Sequence, residues 1–231
     1  MGLSNGRSWS NSRLRFIAES LPRFENALNV SGNLDSDKEG HLYQDYFKVE
    51  KYSISSYTTD TSYSNPLNQI EINLDKDNSK IAKEHYQKYD LVFNHTVLEH
   101  VKNPFQAFSN LENLLAPNGI LISVVPFIYK FHYSNGDFGD YWRYTPHTID
   151  LLHKHSNLFV NLLEVGPLKG YEKYLVSVAS RKNKLLNFEF DINSFSDWNH
   201  NLGDNTLLSL IYSLTQKAFD SIKVRTIHRK N

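Results

Sequence analysis

Apolar positions along the chain change their spacing in a way that assigns most of its elements. The clearest stretch runs from Tyr89 to Tyr129. Leu91, Val92 and Phe93 form a short apolar run that turns polar at Asn94, His95 and Thr96; an amphipathic segment follows, and 120–129 is apolar again. That pattern predicts a βαβ unit with a loop at the carboxyl edge of the sheet, where open α/β sheets bind small ligands. Pro117, Asn118 and Gly119 supply the stop after the helix, since proline cannot continue it and Gly or Asn tolerates a left-handed turn.

Upstream, Leu14, Ile17, Ala18 and Leu21 recur at helical spacing and predict a helix over 12–21, ended by Pro22. A short strand follows at 27–30, then a loop rich in Ser, Gly, Asn and Asp, a short helix at 43–47, and alternating strands at 51–57 and 69–74 with a helix at 79–86. Downstream, Thr145 caps a helix that Pro146 opens and that runs to His153; strands follow at 159–165 and 174–179. The alternation of strands and helices predicts an α/β fold with a doubly wound, mostly parallel sheet of seven strands. Residues 206–222 form a long amphipathic helix carrying Leu207, Leu210, Ile211, Leu214, Ala218 and Ile222 on one side. It is read as cover for a sheet face, with a homodimer contact or a lid as alternatives. The expected organisation is a first domain over 1–183 and a helical extension over 184–231.

Bulk composition narrows the function classes. Twenty-five basic and twenty-five acidic side chains cancel in the 231-residue chain, which argues against a nucleic-acid partner. The chain has no cysteine, so disulfides, thiolate catalysis and thiolate metal sites are excluded. The longest apolar run, 119–129, is well below the roughly 20 residues a membrane-spanning helix needs. The start, from Met1 to Trp9, lacks the apolar core of a secretory signal, so a cytoplasmic location is expected. His-Glu-x-x-His, phosphate-loop and Gly-x-Ser-x-Gly patterns are absent, and no metal is predicted.

Asp90-Leu-Val-Phe-Asn-His-Thr-Val-Leu-Glu-His-Val101, Asn103-Pro104 and Leu114-Leu-Ala-Pro-Asn-Gly-Ile-Leu-Ile122 resemble the central segment of class I S-adenosylmethionine-dependent methyltransferases. They are most similar to a small bacterial branch in which a Leu-Glu-His-Val helix start is followed by a Pro-Phe strand end and by the segment seen here as Asp140-Tyr-Trp-Arg-Tyr-Thr-Pro146. The resemblance implies a Rossmann-like methyltransferase fold ending in an antiparallel hairpin, S-adenosyl-L-methionine as cofactor, and a small-molecule or saccharide acceptor. It places the cofactor loop on Asn29, Ser31, Gly32 and Asn33, the ribose contact on Ser55, the adenine contact on Asp75, and contacts to the methionine part on Asn94 and His95. Glu99 and His100 are expected inside the first turn of the following helix, where the helix dipole favours a glutamate whatever its function. The family's glycine-rich pattern and its ribose carboxylate are both reduced here, because Gly32 is the one glycine of the loop and Ser55 and Ser56 stand where an acidic residue is usual. A non-catalytic binding or assembly module is therefore the alternative reading.

Between Pro126 and Pro146 the chain concentrates aromatic and ionisable side chains where a methyl acceptor must arrive. Tyr129, Tyr141, Trp142 and Tyr144 are expected to contact the acceptor. His132 is the candidate base, because histidine has the best-matched ordinary pKa. Asp140 is expected to orient it or bind an acceptor hydroxyl, and Arg143 to hold an acidic acceptor through its planar fork. The two, three residues apart, are equally readable as a pair with each other.

Overall fold

The computed structural model describes residues 6–32, 34–57, 70–77, 81, 83–132, 138–167 and 172–182. The expected helix over 206–222, the extension containing it and Asn33 lie outside the described residues. A first helix, α1 (Gly6–Ser20), precedes β1 (Phe24–Asn29), β2 (Val49–Ser56) and the two-residue β3 (Ile70–Glu71). Then come β4 (Tyr89–His95), α2 (Pro104–Leu114), β5 (Leu115–Ile128), α3 (Pro146–His155), β6 (Phe159–Gly166) and β7 (Lys173–Ser180). The strands form one sheet in the order β3-β2-β1-β4-β5-β7-β6. All neighbours are parallel except β7, which runs antiparallel to both β5 and β6.

Both faces of this sheet are covered, which is why β4 and β5 read as nearly unbroken apolar runs. Strand alternation sends Leu91 and Phe93 to the face under α1, where they meet Leu14, Ile17 and Ala18, and sends Val92 to the opposite face with Phe108 and Leu111 of α2. Asn103 accepts from the Gln106 amide at 3.2 Å and Thr145 from the Thr148 amide at 3.2 Å, so α2 and α3 each start on a side-chain cap followed by proline.

Several expectations change: the strand expected over 69–74 is only Ile70–Glu71, and of the helix expected over 79–86 the described residues show a 3-10 turn at Lys83–His85. The first helix begins six residues earlier than its apolar period suggests, because Ser10 and Asn11 are buried through hydrogen bonds rather than apolar contact. The Leu98–His100 segment is a separate 3-10 turn, so Glu99 and His100 are not in the first turn of α2. Pro117, Asn118 and Gly119 do not form a linker after the helix. β5 already pairs at Leu115 with Tyr89, and residues 116–119 bulge out before pairing resumes at Ile120 with Leu91. Gly119 is required there, since a β-carbon would stand 2.7 Å from the Tyr89 carbonyl oxygen.

A line of polar side chains crosses the face beneath α3. The Asn94 amide donates to Ser123 Oγ at 2.9 Å, Ser123 pairs across the sheet with Ser177, and Ser177 Oγ lies 3.2 Å from His153 Nε2. Burial pushes the His153 imidazole down to about 3 from its ordinary 6.5. The folded protein therefore keeps a neutral ring where the unfolded chain takes up a proton. Stability from this group is complete above about pH 6.5 and falls as pH drops toward about 3, reaching about 3 kcal/mol lost by pH 4. Replacing His153 by Leu should flatten the decline in melting temperature between pH 7 and pH 4; an unchanged slope would locate the acid sensitivity elsewhere.

Candidate functional site

β1 and β4 are adjacent and parallel, with Asn29 in register with Phe93, so their carboxyl ends open on the same edge of the sheet. Strand order reverses at this pair, which makes the crevice between their tips a topological switch point. Beyond β1 the backbone turns left-handed at Ser31, with φ of 55°, and the Ser31 amide donates to Ser55 Oγ at 3.1 Å. The loop is thereby tied to the tip of β2. Gly32 lies against the Asn29 side chain so closely that a β-carbon would fall 2.4 Å from its Nδ2, which explains the one retained glycine.

Asn29 itself faces inward. Its Nδ2 donates at 2.7 Å to Asp35, which also accepts from Tyr52 Oη at 2.8 Å and from the Gln44 amide at 2.9 Å. Asp35 is thus the hub of the loop. His95 is also enclosed: it stacks on Tyr43 at 5.2 Å, and Arg7 Nη1 lies 3.1 Å from Nδ1 and Ser10 Oγ 3.1 Å from Nε2. Burial, reinforced by the Arg7 charge, holds its pKa well below 6.5. An arginine can only donate, so Nδ1 accepts and Nε2 carries the proton toward Ser10. Asp75 Oδ1 takes the amides of Lys102 at 2.7 Å and Asn103 at 3.2 Å, at the entrance to α2.

Two atoms of this edge are left open. Asn94 Oδ1 at the tip of β4 and Ser56 Oγ at the tip of β2 are buried and have no hydrogen-bond partner among the described residues. Buried polar atoms are rarely left so unless a ligand or water completes them. Together with the left-handed turn at Ser31, they fit a nucleoside ligand lying across the strand tips. A surface hollow lined by Pro22, Phe24, Asp90 and Ile120 lies at the opposite edge, and Asp90 there is already engaged by the Glu25 and Asn26 amides.

Past His95 the chain turns left-handed at Thr96, with φ of 54°, into the 3-10 turn carrying Glu99 and His100. Residues 138–144 lie across that turn. The Tyr141 and Trp142 amides donate to the Glu99 carbonyl at 2.8 and 3.3 Å, Trp142 Nε1 to the Val101 carbonyl at 2.8 Å, and Tyr144 Oη to the Leu98 carbonyl at 2.6 Å. His100 Nδ1 sits 2.6 Å from the Gly139 carbonyl. The two motifs, some forty residues apart, are therefore one structural unit.

Asp140 and Arg143 do pair, by two bonds of 2.5 and 2.6 Å. Arg143 further donates to the Tyr129, Lys130 and Trp142 carbonyls, and Asp140 accepts the His132 amide at 2.7 Å. Burial raises the Asp140 pKa, but the Arg143 hydrogen bonds and the His132 amide outweigh it and hold it below the ordinary value. The pair thus clamps 129–132 to 138–144, and the Arg143 fork is occupied by the protein itself. Tyr144 is fully buried and stands behind the wall, not on its surface. Tyr129 is half-buried and packs edge-on to His132 at 5.6 Å, while Phe138, Tyr141 and Trp142 are exposed.

Glu99 is the residue that the sequence reading undervalued. It was readable as a carboxylate favoured by a helix dipole, but the helix starts five residues later. Glu99 is fully buried, neither carboxylate oxygen has a hydrogen-bond partner among the described residues, and burial pushes its pKa up to about 8. His100 Nε2 lies 3.8 Å from Oε1, and the His100 and His132 rings stand edge-on at 5.1 Å.

Residues 12–172 match a family described as Methyltransferase domain. No curated protein matches the sequence. Among solved structures, the chain is similar to an S-adenosylmethionine-dependent methyltransferase from Clostridium acetobutylicum, with 11% identity, TM-score 0.51, and coverage of 78% of this chain and 93% of that one. It is also similar to 1,6-didemethyltoxoflavin-N1-methyltransferase from Burkholderia thailandensis, with 13% identity, TM-score 0.50, and coverage of 76% and 81%. At such identities the likeness is one of fold. The family match spans well over half of the sequence, and the chain belongs to that family, as a class I S-adenosylmethionine-dependent methyltransferase.

Proposed function

We propose that the protein methylates a hydroxyl group of a small-molecule or saccharide acceptor bound against Tyr129, His132, Phe138, Tyr141 and Trp142. The observation that carries this reading is the cluster of Glu99, His100 and His132, just beyond β4, whose two imidazoles pack against the rings of Tyr129 and the exposed Phe138. Such faces stack on sugar or aromatic rings at little conformational cost. The Burkholderia relative was solved with 1,6-didemethyltoxoflavin and S-adenosylhomocysteine, which favours a small acceptor on this fold. The charge balance of the chain favours such an acceptor over nucleic acid. No helix among the described residues is long and apolar enough to cross a membrane. We keep the division at residue 183 and a cytoplasmic setting as part of this reading.

When bound, the cofactor supplies a methyl group activated by its sulfonium. The backbone at Ser31 and Gly32 would hold its methionine end, Asn94 Oδ1 and Ser56 Oγ would meet its polar groups, and Ser55 ties the loop to β2. Asn29, His95 and Asp75 act through others: Asn29 fixes Asp35, His95 fixes α1 to β4, and Asp75 fixes the start of α2. On the acceptor side, Asp140 and Arg143 are positioning residues for His132. His132 is the group placed to receive the hydroxyl proton. Methyl transfer is an in-line displacement, so alignment supplies much of the acceleration.

One observation favours the alternative of a binding module: the Asn29 side chain, in the loop that the resemblance assigns to the cofactor, is turned inward onto Asp35, which also accepts from Tyr52. Melting experiments with S-adenosylmethionine and S-adenosylhomocysteine separate the two. A working pocket stabilises the protein by about 2.7 kcal/mol at a hundredfold excess of ligand over Kd, and no shift at millimolar ligand would support the module. Asn94→Ala should weaken cofactor binding by about tenfold through loss of one hydrogen bond to a charged ligand.

In turnover assays that follow S-adenosylhomocysteine release over a panel of nucleotide-linked sugars and phenols, His132→Ala should keep cofactor affinity and lower kcat by at least about 100-fold. Tyr141→Ala should instead raise KM for the acceptor. Loss of cofactor binding in His132→Ala would reverse the two site assignments.

A further inference from the structure

Glu99, His100 and His132 each offer one ligand atom, and these atoms all lie within 4.8 Å of one another. We propose that the three side chains form a site for a divalent first-row transition-metal ion, held by two imidazoles and one carboxylate, with its remaining positions open to the acceptor oxygen. The inference rests on the acceptor pocket argued above and deepens it. It also revises the expectation, drawn from the missing sequence patterns, that the chain takes no metal.

The geometry has the parts of such a site in two layers. Glu99 is fully buried, and neither of its oxygens is hydrogen-bonded among the described residues. A carboxylate enclosed in this way is costly unless a cation or donor satisfies it. His100 Nδ1 lies 2.6 Å from the Gly139 carbonyl, which can only accept, so that nitrogen carries the proton and the Nε2 lone pair faces Glu99 at 3.8 Å. Histidines that bind metals usually donate their other ring N–H to a carbonyl or carboxylate, which fixes both tautomer and ring plane.

His132 stands beside a carboxylate without donating to it from the ring: its backbone amide is bonded to Asp140, and its Nδ1 lies 3.3 Å from Asp140 Oδ2 without a hydrogen bond. Asp140 is itself immobilised by Arg143. Metal–ligand bonds of roughly 2.0–2.2 Å put two ligand atoms up to about 4.4 Å apart, so side-chain rotation closes the cluster without moving the backbone.

The donor set narrows the ion. Imidazole with carboxylate suits the series from manganese to zinc, whereas calcium and magnesium prefer oxygen ligands throughout. In this position the ion places positive charge where the acceptor oxygen must develop negative charge. Glu99 and His132 then serve as ligands, so the hydroxyl proton passes to solvent and not to His132. The oxygen lone pair forms the new bond to the methyl carbon, while the electron pair of the broken carbon–sulfur bond stays on sulfur.

The test titrates chelator-treated protein with cobalt(II) alone, read by its visible absorption, and with zinc(II) as competitor. One ion per chain is expected. Glu99→Gln, which keeps the side-chain shape, and His132→Ala, at a half-buried position, should each weaken binding more than about tenfold. His147→Ala, exposed on α3, should leave it unchanged. Absence of saturable binding at millimolar metal, or wild-type affinity in both ligand variants, overturns the site. Should Glu99→Gln fail to fold, His132→Ala decides alone. Cofactor binding, followed by melting with S-adenosylhomocysteine, is read separately: its loss would remove the methyltransferase reading and leave the metal result standing.

Discussion

The turn at Leu98–His100 is buried without belonging to a regular helix, and this constraint shapes the active edge of the molecule. Main-chain carbonyls taken out of water need donors. Those of Leu98, Glu99 and Val101 find none in α2, which begins only at Pro104 on its own asparagine cap. They are satisfied by Tyr144, by the amides of Tyr141 and Trp142, and by the Trp142 indole. A segment sent to the acceptor side for its aromatic faces is thus first a provider of hydrogen bonds. Its acid–base pair holds it in place, and its exposed rings are what remains for a ligand.

A second network works on the other face of the sheet. Asp37 is a fully buried carboxylate that accepts from Tyr46 and His41, meets Arg15 of α1 at 3.3 Å, and has its carbonyl bonded by Asn11. Desolvation opposes its charge, but these donors hold its pKa well below the ordinary carboxylate range. Together with the Arg7 and Ser10 contacts to His95, it makes α1 part of the cofactor edge as well as a cover for apolar strands.

How much of this was legible follows from the kind of signal each element leaves. β4, β5 and the two closing strands were visible because burial on both faces gives apolar runs, and α3 because Thr145 and Pro146 mark a helix start by local chemistry. The family resemblance pointed to the fold and its closing antiparallel hairpin. Local pattern failed where partners are distant: the polar start of α1 is helical because of residues 26 to 88 positions away, and Pro117–Gly119 is a bulge because β4 sets its register. Glu99 was in view and misjudged, since a dipole argument needs to know where the helix begins. Tyr144 looked like its neighbours in sequence and differs only in pointing inward.

The first helix also joins the two ends of the described chain. Arg13 pairs with Glu164 of β6, Trp9 occupies the space against Gly166, and Gly6 packs on the Tyr174 ring so closely that a β-carbon would touch it. Contacts between residues separated by about 150 positions raise the contact order of the fold, and such topologies close slowly. On a ribosome, α1 waits through the synthesis of every strand before β7 emerges to complete its seat. A nascent chain stalled in that interval carries an amphipathic helix that can meet β4 but whose apolar face is not yet covered by β6 and β7.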